Sequence, residues 1–163
     1  MKRLLTVALT VIVALTMTLG TSVCAYGASS KDALELEATT AILIDAKTGE
    51  ILFSKNKDVQ LTPASMTKIM TALLAIENLD MDTVVTIDDE TPYTEGNIIY
   101  MHKGEKFTVE QLLKAMLVTS ANDCAVALAK TMSGTIKDFS NLMNGKAKEL
   151  GAKNTNFVNP NGL

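Results

Sequence analysis

The spacing of apolar and polar positions changes several times along the 163 residues, and each change marks an element. After Lys2 and Arg3, residues 4–19 are apolar except for threonines, and a small-residue stretch at 21–28 leads into Ser29-Ser30-Lys31-Asp32. That order is the three-part pattern of a secretory signal peptide, expected over residues 1–25. Cleavage after Ala25 places Val23 and Ala25 at the two small-residue positions. Cleavage after Ala28, the alternative, places the bulkier Tyr26 at the first. An uncleaved anchor is the rival reading, since the apolar run approaches the lower limit for a span. A lipid-modified Cys24 is disfavoured by Val23, which stands where Gly, Ala or Ser is wanted.

Beyond the leader, residues 41–45 and 51–54 predict two strands, joined by a Gly49-containing turn suited to a hairpin. Thr62 and Pro63 predict a helix start, with Thr62 as cap and Pro63 at the first helical position, where its missing N–H costs nothing. Residues 66–76 are apolar nearly all round, the pattern of a helix buried in a core. A short strand is expected at 84–87 and a long loop at 88–104. Thr108 and Gln111 form a capping box for a helix running to Val118. Ser120, Asn122 and Asp123 interrupt the pattern, and an Ala-rich helix continues to Gly134. A last helix opens at Thr135, carries Phe139, Leu142, Met143, Ala147 and Leu150 on one face, and stops at Gly151. Asn159-Pro160-Asn161-Gly162 is a turn. The mixture is α/β.

The leader holds two basic and no acidic residues, so the exported part carries 13 Lys+Arg against 18 Asp+Glu, a net charge of −5. That balance argues against nucleic acid as a partner. Cys124 is the one cysteine outside the leader and has no partner for an internal disulfide. Its alanine-rich surroundings suit a buried, inert thiol. His102 is the single histidine, which excludes a His-based metal site.

Candidate chemistry centres on Ser65-Met66-Thr67-Lys68. Ser65 and Lys68, three apart, share one helical face. A serine hydroxyl needs a base within hydrogen-bond reach, and a lysine serves only if burial lowers its pKa. Lys68 lies in the most apolar helix of the chain, which supplies that condition. The Ser65 N–H at the helix start is a candidate donor to an oxyanion. Ser120 can relay a proton between Lys68 and a leaving amine. The Asn122 amide can hold a substrate backbone carbonyl, or Lys68 in position. The same residues are also what a helix N-cap requires.

These segments resemble a family. Residues 62–71, the hairpin at 45–49, Gly104-Glu105-Lys106-Phe107-Thr108-Val109, Ser120-Ala121-Asn122-Asp123 and the closing 157–163 are similar to the serine D-alanyl-D-alanine carboxypeptidases, the low-molecular-mass penicillin-binding proteins. The likeness runs through nearly all of residues 40–163. It implies a β-lactamase/transpeptidase-like (DD-peptidase) fold, of which residues 29–163 are the N-terminal part of the catalytic domain, truncated before the later sheet strands. The implied reaction removes the terminal D-alanine of peptidoglycan stem peptides through a Ser65 acyl-enzyme. Lys68 is then the base, Ser120 the proton relay and Asn122 a substrate contact. β-Lactams would acylate the same serine, and no metal or organic cofactor is implied. The expected location is the cell envelope outside the cytoplasm, with any membrane association through a C-terminal region beyond this sequence. The family's third motif, Lys-Thr-Gly, follows the second, and the chain stops first. Lys47-Thr48-Gly49 precedes Ser65 and is explained by the hairpin turn.

Rival readings remain. His102 with Ser65 and Asp88 or Asp89 would make a conventional triad, though nothing in the local sequence positions it. A β-lactamase of the same fold would need Glu-x-x-x-Asn after the second motif, and the one glutamate there, Glu149, has Lys153 four residues on. A non-catalytic penicillin-sensing domain and an inert fragment complete the set.

Overall fold

The computed structural model describes residues 36–163. The expected signal peptide, with either cleavage site, lies outside the described residues. The chain divides into two units, residues 1–57 and 58–163.

In the first unit the β-branched and apolar runs pair as expected. Strand β1 (Ala41–Ile44) lies antiparallel to β2 (Ile51–Lys55), with Ala41 opposite Lys55, Leu43 opposite Phe53 and an irregularity between Leu43 and Ile44. Asp45 builds the turn: its Oδ1 accepts from the Lys47 N–H at 3.0 Å, the Thr48 N–H at 2.8 Å and the Thr48 hydroxyl at 2.9 Å. The Thr48 and Lys47 donors hold the carboxyl below its ordinary pKa. Lys47-Thr48-Gly49 is therefore turn material, as its place in the sequence suggested.

The second unit is built on helices. A 3₁₀ turn at Ala64–Met66 leads into α1 (Thr67–Asn78). Strand β3 (Val84–Thr86) pairs antiparallel with β4 (Lys106–Thr108), Val85 opposite Phe107. Then come α2 (Val109–Thr119), α3 (Asn122–Ser133) and α4 (Ile136–Glu149). Strand β4 was not read from the sequence, because three residues running straight into a cap show no period. The capping box formed as expected: the Thr108 hydroxyl accepts from the Gln111 N–H and the Gln111 side chain accepts from the Thr108 N–H. Among the described residues no helix is long and apolar enough to cross a membrane.

Helix α3 is the hub, packed by α1, α2 and α4. Its Ala125, Ala127 and Ala129 let neighbours approach closely, and Cys124, Ala125, Leu128 and Ala129 are fully buried. Burial, and then the charge of Asp123, push the Cys124 thiol up to about 12. One core gathers Ala72, Ala75, Val85, Leu112, Met116 and Leu128, and a smaller one gathers Leu74, Ala129, Phe139 and Met143. On the expected apolar face of α4, Phe139, Met143 and Ala147 are buried, while Leu142 and Leu150 are exposed.

Two local expectations are corrected. Thr62 makes no capping bond, and Pro63 precedes the 3₁₀ turn instead of entering an α-helix. Ala64 takes φ +49°, so the chain turns sharply just before Ser65. Helix α1 is also not buried all round: Thr67, Lys68, Thr71 and Ala75 face inward, while Ile69 and Ile76 are mostly exposed. An all-apolar pattern leaves the buried face undetermined, and close packing with α3 favours the side with Ala72 and Ala75.

Candidate active site

Three pieces of chain meet at Lys68. The first is its own helix. The 3₁₀ turn ends at Met66, so Ser65 sits just ahead of α1, exposed, and Lys68 lies on the second α-helical position, only 2% exposed. The i, i+3 spacing brings the two together, with Lys68 Nζ 3.1 Å from Ser65 Oγ.

The second piece is the α2–α3 junction. Ser120 caps the C-terminus of α2 in the left-handed conformation, φ +59°, which costs a non-glycine residue about 1 kcal/mol. That turn brings Ser120 Oγ to 3.3 Å from Lys68 Nζ. The N-cap of α3 is Ala121, which has no side-chain oxygen, so Asn122 and Asp123 are inside the helix and not caps. None of Ser120, Asn122 and Asp123 is therefore the N-cap of α3, and Ser120 is instead the C-cap of α2.

The third piece was missed. The turn at 159–162 folds across α1, where the Asn161 carbonyl accepts from Lys68 Nζ at 3.2 Å and the Pro160 carbonyl accepts from the Thr71 hydroxyl at 2.7 Å. Asn159 Oδ1 shapes this turn by accepting from the Asn161 and Gly162 N–H groups. Gly162, at φ +88°, packs directly on the Ala64 carbonyl: a Cβ there would lie 1.9 Å from that oxygen. A backbone carbonyl carries no residue signature, so only the turn-forming Asn-Pro-Asn-Gly could have hinted at it.

Lys68 thus contacts three neutral oxygens, and among the described residues it forms no ion pair. Burial lowers its pKa from 10.5 with no compensating carboxylate. The amine lies within hydrogen-bond reach of both the Ser65 and the Ser120 hydroxyls.

Asn122 lies beside this group and does not bond Lys68. Its amide donates to the Glu95 carbonyl at 2.8 Å, and its N–H donates to the Asn97 carbonyl at 2.7 Å. His102 is elsewhere, an exposed side chain 3.8 Å from Glu105 and joined to no serine. Asp88 and Asp89 are taken by Lys130 and Lys103. A cavity of about 260 Å³ lined by Val85, Asp88, Thr91, Lys130 and Gly134 contains none of the Ser65 group. Among the described residues no cluster of acidic, Cys or His side chains is arranged to hold a metal ion.

Comparison with known proteins identifies the family and the fold. Residues 27–163 match the peptidase S11 family, described as D-alanyl-D-alanine carboxypeptidase. The chain is 42% identical to D-alanyl-D-alanine carboxypeptidase DacF of Bacillus subtilis, over all of this chain and 43% of that protein. It is 34% identical to DacC of Escherichia coli, over 81% of this chain and 36% of the relative. The fold superimposes on the carboxypeptidase DacD of Francisella tularensis with a TM-score of 0.75 at 42% identity, covering 79% of this chain and 32% of that one. Penicillin-binding protein D2 of Listeria monocytogenes, in its ampicillin-bound form, gives 0.70 at 33%, covering 80% and 54%. The chain therefore spans less than half the length of the curated relatives it matches, and its fold is the expected DD-peptidase fold. With nearly the whole sequence from residue 27 matched, the chain belongs to the D-alanyl-D-alanine carboxypeptidase family, peptidase S11.

Proposed function

We propose that the protein is an exported serine D-Ala-D-Ala carboxypeptidase that trims peptidoglycan stem peptides and is acylated by β-lactams. The observation carrying this reading is the buried Lys68 amine held between the Ser65 and Ser120 hydroxyls. Neutral Lys68 takes the Ser65 proton as Oγ attacks the penultimate D-alanine carbonyl carbon. The resulting oxyanion is met by the Ser65 N–H at the helix start. When the C–N bond breaks, the proton on Lys68 passes through Ser120 to the leaving D-alanine amine, leaving an ester on Ser65. Water then attacks that ester, with Lys68 again accepting a proton, and Ser65 is restored. Asn122 lines the side on which the peptide lies. A β-lactam opens on Ser65 by the same first step. The relatives' names support the substrate class, and the ampicillin-bound neighbour supports the inhibitor. Residues 1–25 supply the export signal in this reading.

The β-lactamase alternative gains nothing from the structure, since Glu149 is an exposed partner of Lys146. Full-length enzyme treated with a fluorescent penicillin should carry the label on the peptide containing Ser65. Ser65→Ala should carry none, and label retained by that variant would remove Ser65 as the nucleophile.

A further inference from the structure

Asp123 is fully buried, yet none of the acyl-transfer steps uses it. Its oxygens have separate tasks. Oδ1 accepts from the Cys124 N–H at 2.9 Å, within its own helix, and Oδ2 accepts from the Ile99 N–H at 3.1 Å. The second bond reaches out of α3 to the 95–99 segment. Two more bonds join the same two pieces, from the Asn122 N–H and amide to the Asn97 and Glu95 carbonyls, and the Asn97 amide ties the segment to α2 at the Thr119 carbonyl. Glu95, Asn97 and Thr119 are exposed residues. The Asp123 bond is part-buried and is accepted by a side chain that is itself fully buried.

A buried carboxylate without a cation is a costly fastener, and among the described residues Asp123 has no ion pair. Its chemistry explains its use. Two N–H groups need two acceptors, and asparagine would present one acceptor and one donor. The segment it secures is also closely fitted. A Cβ on Gly96, at φ +84°, would lie 2.6 Å from Asn122 Nδ2 and 3.3 Å from Leu163 Cδ1. Next to Ile99, Tyr100 is held at φ +61° with its side chain in solvent. A left-handed tyrosine persists only where its neighbours over-determine it.

We propose that Asp123 is a positioning residue: by pinning Ile99 it holds residues 95–99 along the Ser120–Asn122 junction as a fixed wall against which the peptide substrate lies. The proposal rests on reading Ser65 as the nucleophile. In the full-length enzyme, Asp123→Asn sets a donor against one of the two N–H groups. The Ile99 amide should then exchange at least tenfold faster, and KM for a D-Ala-D-Ala peptide should rise at least tenfold with kcat within threefold. Saturating fluorescent penicillin should still label Ser65 stoichiometrically. Gly96→Ala, whose Cβ presses on the Asn122 side chain, disturbs the wall without altering Asp123, and it should reproduce the KM rise even if Asp123→Asn does not fold. A cooperatively folded variant of either kind with KM within twofold of wild type, or with its loss confined to kcat, overturns the proposal. Intact labelling in that case leaves Ser65 standing. A wild-type enzyme that takes no label removes the nucleophile and this proposal together.

Discussion

Lys68 faces three oxygens, and they are not equivalent. A neutral amine has two N–H bonds and one lone pair. The Asn161 carbonyl can only accept, so it always occupies one N–H, while each serine hydroxyl can give or take. The lone pair is thus left to alternate between Ser65 and Ser120, the direction in which the proposed mechanism moves the proton. Because burial penalises the cation, the folded state binds the Lys68 proton less tightly than the unfolded chain, whose lysine titrates near 10.5. Stability from this group is present with the amine neutral and falls as pH drops through its folded-state value. Acylation by penicillin should therefore rise with pH at a midpoint below 10.5. Lys68→Arg should abolish it despite keeping the charge, since arginine stays protonated. Stopped-flow labelling across pH measures both, and near-normal acylation by the arginine variant would leave the mechanism without its base. At this scale the sequence was legible where chemistry depends on spacing. Ser65 and Lys68 follow from three residues of helix, whereas Ser120 joins them from 52 residues away and was reached through resemblance.

Elements position these groups through their ends. The Thr108 capping box was legible because both partners are side chains at a fixed interval, and Thr108→Ala should cost about 1 kcal/mol in denaturant unfolding. The start of α1 was misread because the Thr62-Pro63 pattern does not reveal that Ala64 turns left-handed. Its counterpart is Gly162, whose close approach to the Ala64 carbonyl leaves no room for a side chain. Gly162→Ala should cost at least about 2 kcal/mol, combining a strained φ with a backbone clash. It should also slow acylation at Ser65, because the Asn161 carbonyl would shift off Lys68. A variant equal to wild type in unfolding and labelling would show that this turn is passive.

Across the molecule, apolar surface is unevenly covered. In the hairpin, Ile42, Leu43, Ile44, Ile51 and Leu52 are each about half exposed, and on α1 Ile69 and Ile76 are more so. A two-stranded ribbon is marginal in water, and exposed apolar patches drive association. Residues 29–163 expressed alone should accordingly self-associate and bind an apolar dye. Sedimentation would test this, and a monomer with a cooperative melt would contradict it. The α/β class was legible from periodicity, but which faces stay bare was not, because apolar pattern marks what can be buried and not what covers it.

The contact between Lys68 and residue 161 also sets an order in time. Ser65 and Lys68 are synthesised early and stand three positions apart, but the Lys68 amine's third oxygen arrives 93 residues after it. Under the proposed function, a chain whose turn has not closed over α1 leaves Lys68 more hydrated, which favours its charged form over the neutral base. On that reading the turn at residues 159–162 completes the surroundings of Ser65 last, so a chain ending before residue 159 should take no penicillin label.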